Sequence, residues 1–142
     1  MRGAANAVIA AAVMILTAMR PGDVGAPPEE ATAQQAGAKL PKGVTMEMVK
    51  QGREIYAGAG LCHACHGPEA KGVPNLGSDL SDAEWVNGDG SYEAIVEAVI
   101  KGVPAEKSGS GIAMPPRGGA EITDEQARAV AAYVVSLSHR EK

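Results

Sequence analysis

Residues 62–66 read Cys62-His63-Ala64-Cys65-His66, a Cys-x-x-Cys-His motif that uses both cysteines of the 142-residue chain. Two thiols three positions apart can each add to one vinyl group of a haem, giving two thioether bonds. The histidine directly after the second cysteine then sits under the iron and supplies its proximal nitrogen. Two other chemistries use paired cysteines. A zinc site needs two further ligands, and His63 and His139 are the only other histidines. A thioredoxin-like redox pair gains nothing from a trailing histidine, and no β-α-β pattern surrounds this motif. The motif therefore asks for a fold that wraps one large flat group, with His66 as a metal ligand.

Composition supports that requirement. The large rings are Trp85, Tyr56, Tyr92 and Tyr133, and there is no Phe. A small domain with so few rings struggles to bury enough apolar area unaided, and a covalently held porphyrin fills the gap. The 18 Gly and 9 Pro point to long loops between short helices. Formal charge is −4; without residues 1–26, which hold Arg2, Arg20 and Asp23, 11 basic and 16 acidic residues leave −5. That balance argues against a nucleic-acid partner. It suits an ordinary solvated surface first, and after that a basic docking patch on a redox partner.

Arg2 and the apolar stretch Ala7 to Met19, broken only by Thr17, have the layout of a secretory signal. Counted from Gly3 the stretch reaches seventeen residues, short for a spanning helix of about 20. Cleavage sites are imperfect. Leu16-Thr17-Ala18 and Val24-Gly25-Ala26 carry small residues, but Pro27 follows the second, and Ala31-Thr32-Ala33 lies far beyond the apolar core. Residues 1–26 thus read as a cleaved signal or as an uncleaved anchor through residues 3–19, and both imply export. Arg20 to Gly43 is rich in Pro, Ala, Gly, Glu and Gln without apolar periodicity, so residues 27–43 read as a flexible linker. In an anchored chain the segment from Arg20 spans ~27 Å and raises the effective concentration of a membrane partner.

A folded domain is expected over residues 44–142. Thr45 can cap a first helix with Met48, Gly52, Ile55, Tyr56 and Ala59 on one face and Gly60 at its end. Ser81-Asp82-Ala83-Glu84 is a capping-box pattern for a short helix through Trp85. Ser91 can cap a helix striped by Tyr92, Ile95, Val96, Val99 and Ile100, ended by Gly102 and Pro104. Thr123-Asp124-Glu125-Gln126 is another capping box, followed by the stripe Ala127, Val130, Ala131, Val134 and Leu137. No strand pattern competes.

With His66 below, the iron needs a sixth ligand or an open position. A thioether is soft and neutral, favours ferrous iron and raises the potential. Met1, Met14 and Met19 lie in the export segment, and Met46 and Met48 start the first helix. Met114 lies in a loop between two helices and is followed by Pro115 and Pro116, which stiffen the backbone and remove two donors. Met114 is the expected second metal ligand, in preference to a core-filling methionine or to His139 at the end of the last helix. His66 should donate its other ring N–H to an acceptor. The carbonyl of Pro74 is the candidate, with Leu76 packing on the haem edge.

These residues together resemble the class I c-type cytochromes over about Val44 to Ser138. The resemblance rests on Cys62-His63-Ala64-Cys65-His66-Gly67, Pro74-Asn75-Leu76, Met114-Pro115 and the final helix. It implies a small all-α cytochrome c fold, three to five short helices wrapped around one haem c attached through Cys62 and Cys65. It also implies that Gly52 and Tyr56 in the first helix cross the last helix at Tyr133. Asp79-Leu80-Ser81-Asp82-Ala83-Glu84-Trp85 and Ala129-Val130-Ala131-Ala132-Tyr133-Val134 look like the bacterial subgroup that includes haem domains of oxidases and dehydrogenases. Several of those subunits carry two haem motifs; this chain carries one. Trp85 suits a bond to a propionate or simple packing. The long segment Lys101 to Ala113, with Ser108-Gly109-Ser110-Gly111, is expected at the rim of the haem crevice, as a partner contact or a surface insertion.

The resemblance implies a periplasmic electron carrier exchanging electrons with a redox protein donor and acceptor. Its alternative is a haem subunit bound to a dehydrogenase or terminal oxidase. A five-coordinate sensor or peroxidase would need Met114 off the iron.

Overall fold

The computed structural model describes residues 39–138. The expected signal or anchor, most of the linker, and His139 lie outside the described residues. Among those described, no helix is long and apolar enough to cross a membrane.

Four α-helices follow in order: α1 (Met46–Ala57), α2 (His63–His66), α3 (Tyr92–Lys101) and α4 (Asp124–Ser138). Tight 3-10 turns occupy Ala105–Lys107 and Pro116–Gly119. Extended pairing among the described residues is limited to isolated bridges, Val73 with Gly77 and Val103 with Met114. The expected all-α architecture is the one observed.

Helix starts follow side-chain chemistry. Thr45 Oγ1 accepts from the Met48 N–H at 3.2 Å, and Ser91 Oγ from the Ala94 N–H at 3.2 Å. At α4 the capping box is reciprocal: the Gln126 N–H donates to Thr123 Oγ1 at 3.2 Å, and the Thr123 N–H to Gln126 Oε1 at 2.8 Å. The end of α1 differs from expectation. Gly58, not Gly60, caps it, so Ala59 lies past the helix and is exposed, while Val49 joins the core. The Gly60 N–H still returns to the Ile55 carbonyl at 2.8 Å, closing the turn that leads into the motif.

The capping-box pattern at Ser81 forms no helix. Asp79 Oδ1 accepts from both the N–H and the hydroxyl of Ser81 at 2.7 Å, and Asp82 Oδ1 accepts from the Glu84 N–H at 3.0 Å. Ser81 Oγ also accepts from Lys71 Nζ at 2.9 Å, so the hydroxyl meant for the cap is spent in a turn. The Ser81 hydrogen bond to the carboxylate draws Asp79 below its ordinary pKa.

The core lies where α1 and α3 pack on α4. Gly52 is the point of closest approach: a Cβ there would stand 1.9 Å from the Ala129 carbonyl oxygen. Next to it the rings of Tyr56 and Tyr133 meet edge to face, centroids 5.3 Å apart at 66°. With neighbours on two sides, α4 buries Ala127 and every residue from Ala129 to Leu137, a wider face than the expected stripe. The buried Tyr56 hydroxyl donates to the Gly67 carbonyl at 2.7 Å, tying α1 to the residue after the motif. Burial raises this phenol above its ordinary pKa. Tyr56→Phe leaves that carbonyl with only the Ala70 N–H at 3.2 Å and should cost about 0.5–1.5 kcal/mol in chemical denaturation of the haem-loaded protein. An unchanged midpoint would show that the bond is dispensable.

Candidate functional site: a cleft around Cys62, Cys65, His66 and Met114

The motif folds as one helical turn. The N–H groups of Cys65 and His66 both return to the Cys62 carbonyl, at 3.2 and 3.0 Å. Cys62 is half-buried and Cys65 exposed, both as free thiols. Burial pushes the Cys62 thiol up to about 11. Among the described residues, no three or more His, Cys, Asp or Glu converge as a metal cluster. That weighs against the zinc reading.

His66 Nδ1 lies 2.8 Å from the carbonyl oxygen of Ser78. A carbonyl only accepts, so Nδ1 carries the hydrogen and Nε2 keeps its lone pair for a metal. The expected acceptor, Pro74, is therefore corrected to Ser78. The reason is the turn between them. Val73 and Gly77 exchange backbone hydrogen bonds at 3.0 and 3.1 Å, which folds Pro74-Asn75-Leu76 into a tight loop. Pro74 does not line the cleft; Leu76 does and remains 37% exposed.

Met114 exchanges backbone hydrogen bonds with Val103 at 2.9 and 2.8 Å. This anchors the methionine loop to the chain leaving α3. Gly102 makes the anchor possible: its φ is +76°, and a Cβ there would stand 2.4 Å from the Met114 oxygen and 2.8 Å from the Pro116 nitrogen. Beyond the prolines, the Arg117 guanidinium pairs with Asp124 at 2.5 Å and joins the loop to the start of α4. Met114, His66, Cys62 and Cys65 all line one cleft. Its walls are Ile95 and Val99 from α3, Val130 and Val134 from α4, with Leu80 and Trp85.

This is an apolar slot with two thiols at one wall. An imidazole with a free Nε2 and a thioether also line it. Those donors and that lining fit a haem. Of the six residues expected to hold the haem (Cys62, Cys65, His66, Pro74, Leu76 and Met114), Pro74 alone is not brought to the cleft. Ser78 was not legible beforehand; its only signal is its place just after a turn.

Fold and cleft define a c-type cytochrome domain. Residues 47–134 match the family described as cytochrome c oxidase, cbb3-type, subunit III, and the chain belongs to that family. It is 35% identical over 91 residues to the cbb3-type cytochrome c oxidase subunit FixP of Rhizobium meliloti (strain 1021), covering 63% of this chain and 28% of that protein. To the cbb3-type subunit CcoP of Rubrivivax gelatinosus it is 34% identical over 126 residues, 82% of this chain and 38% of that protein. The chain therefore spans well under half the length of these curated relatives. Among solved structures it resembles cytochrome CL of the marine methylotroph Methylophaga aminisulfidivorans, with TM-score 0.50 and 22% identity over 80% of this chain and 68% of that one. The reducing HAO-like protein complex of Kuenenia stuttgartiensis is similar, with TM-score 0.51 and 22% identity over 70% of this chain and 48% of that chain. Both likenesses concern the fold.

Proposed function

We propose that this chain is a periplasmic electron-transfer protein carrying one haem c, attached through Cys62 and Cys65 and ligated by His66 and Met114. The observation that carries this reading is the convergence of all four side chains on one apolar cleft. When bound, the haem supplies one-electron chemistry through iron that alternates between ferrous and ferric states. The chain's own work is to hold the ligands still. Ser78 fixes the His66 ring, and the paired backbones of Val103 and Met114 hold the thioether side. Ligands held this way rearrange little on electron transfer, and a filled sixth position leaves no coordination site for a substrate. The domain is then a carrier of electrons and not a catalyst by itself. The anchored Met114 loop also favours this reading over a five-coordinate sensor or peroxidase. The ferric protein should show the near-infrared Met-to-iron band at neutral pH; its absence would overturn six-coordination.

A second reading places the domain as a haem subunit of a terminal oxidase or dehydrogenase complex. It is favoured by relatives that are themselves named oxidase subunits. Residues 1–26, as a signal or anchor, and residues 27–43, as a linker, would deliver the domain over residues 44–142 to the periplasmic side of the membrane. Gel filtration of a native extract, followed by haem absorbance, separates the two. Haem eluting near the size of this 14.4 kDa chain identifies a free carrier, and haem eluting only with a large assembly identifies a subunit.

A further inference from the structure

The segment Lys101 to Ala113 crosses the cleft mouth rather than standing away from it: Lys107, Ser108, Gly109, Ile112 and Ala113 line the cleft. Its best-connected atom is Ser110 Oγ. The hydroxyl donates to the Leu76 carbonyl at 3.1 Å, accepts from the Ile112 N–H at 3.3 Å, and shares a hydrogen bond with Ser108 Oγ at 3.0 Å. One donor and two acceptor positions are the full capacity of a hydroxyl. Beside it, Gly109 packs so closely that a Cβ there would stand 3.2 Å from Val86 and 3.4 Å from Ser78 Oγ. Leu76 lies two residues before Ser78, whose carbonyl orients His66, and Ser110 lies four residues before Met114.

We propose that Ser110 is a positioning residue, a latch that ties the loop bearing Met114 to the segment that orients His66. One side-chain contact then restrains both axial ligands and keeps the cleft closed. The inference rests on the haem reading above. An external ligand reaches the iron only in molecules whose methionine has swung away, so its apparent affinity scales with that open fraction. Loss of one hydrogen bond should raise the open fraction severalfold.

The test uses the haem-loaded full chain in three variants: Ser110→Ala, Ser110→Thr and Lys101→Ala. The last cuts an exposed ion pair with Glu97 and serves as the control. Imidazole is titrated into the ferric protein and followed at the near-infrared band, and the NMR shifts of the haem methyls report the histidine ring plane. Ser110→Ala should bind imidazole about threefold to tenfold more tightly and shift the haem methyl resonances. Ser110→Thr, which keeps the hydroxyl, and Lys101→Ala should match the wild type. Ser110→Ala within twofold of wild type, or Thr or control variants that move as far as it does, would overturn the latch. A chain that carries no haem overturns both readings; a haem-loaded Ser110→Ala that behaves as wild type overturns this one alone.

Discussion

Met114→Ala should abolish the ferric near-infrared band, let the ferrous protein bind carbon monoxide readily, and lower the reduction potential. Each effect follows from the loss of one sulfur. A thioether stabilises ferrous iron, so removing it shifts the balance toward ferric. Axial ligands span roughly 0.8 V across haem proteins, and a drop on the order of 0.1–0.3 V is expected here. Met114→Leu separates ligation from packing, because it keeps the volume and lacks the lone pair. Both variants should behave alike at the iron, since Val103 holds the loop through backbone atoms that neither change touches. A variant that keeps the band would mean that another group supplies the sixth ligand.

Gly52→Ala should be the most damaging small substitution in the fold. Its added carbon would stand 1.9 Å from the Ala129 oxygen and 3.0 Å from the Tyr133 Cβ. The nearest obstacle is backbone, so no rotamer change relieves it. The α1 and α4 axes must separate, which loosens the Tyr56–Tyr133 contact and the wall of the cleft. A cost of about 3–5 kcal/mol runs from the top of the ordinary range for point mutations into the exceptional one. For a domain of this size that lowers the thermal midpoint by at least about 12 °C, read by circular dichroism on the haem-loaded chain. A midpoint within about 2 °C of wild type would show that the helices do not meet there.

Much of this architecture was legible because the relevant chemistry is local. The haem motif is five consecutive residues, and the caps at Thr45, Ser91 and Thr123 each concern atoms three residues apart. Met114 stood out because two prolines keep its loop from becoming helix. The crossing of Gly52, Tyr56 and Tyr133, implied by resemblance, is present in the fold. What escaped depended on partners distant in sequence or on competition between turns. The helix expected at Ser81 lost to hydrogen bonds that Ser81 donates to Asp79, and the acceptor expected at Pro74 moved to Ser78 once Val73 paired with Gly77. Val49, three residues before Gly52 and seven before Tyr56, fits the helical period and was within its reach; the broad buried face of α4 reflects helices packing from two directions, which one-dimensional periodicity does not contain.

Intact mass of the chain, produced with the haem-ligation machinery and washed in acidic organic solvent, tests the central claim most directly. The account predicts the mass of one haem retained on the polypeptide, with the pigment lost when both Cys62 and Cys65 are replaced by serine. Pigment that washes out of the wild-type chain, leaving the bare polypeptide mass, would contradict it.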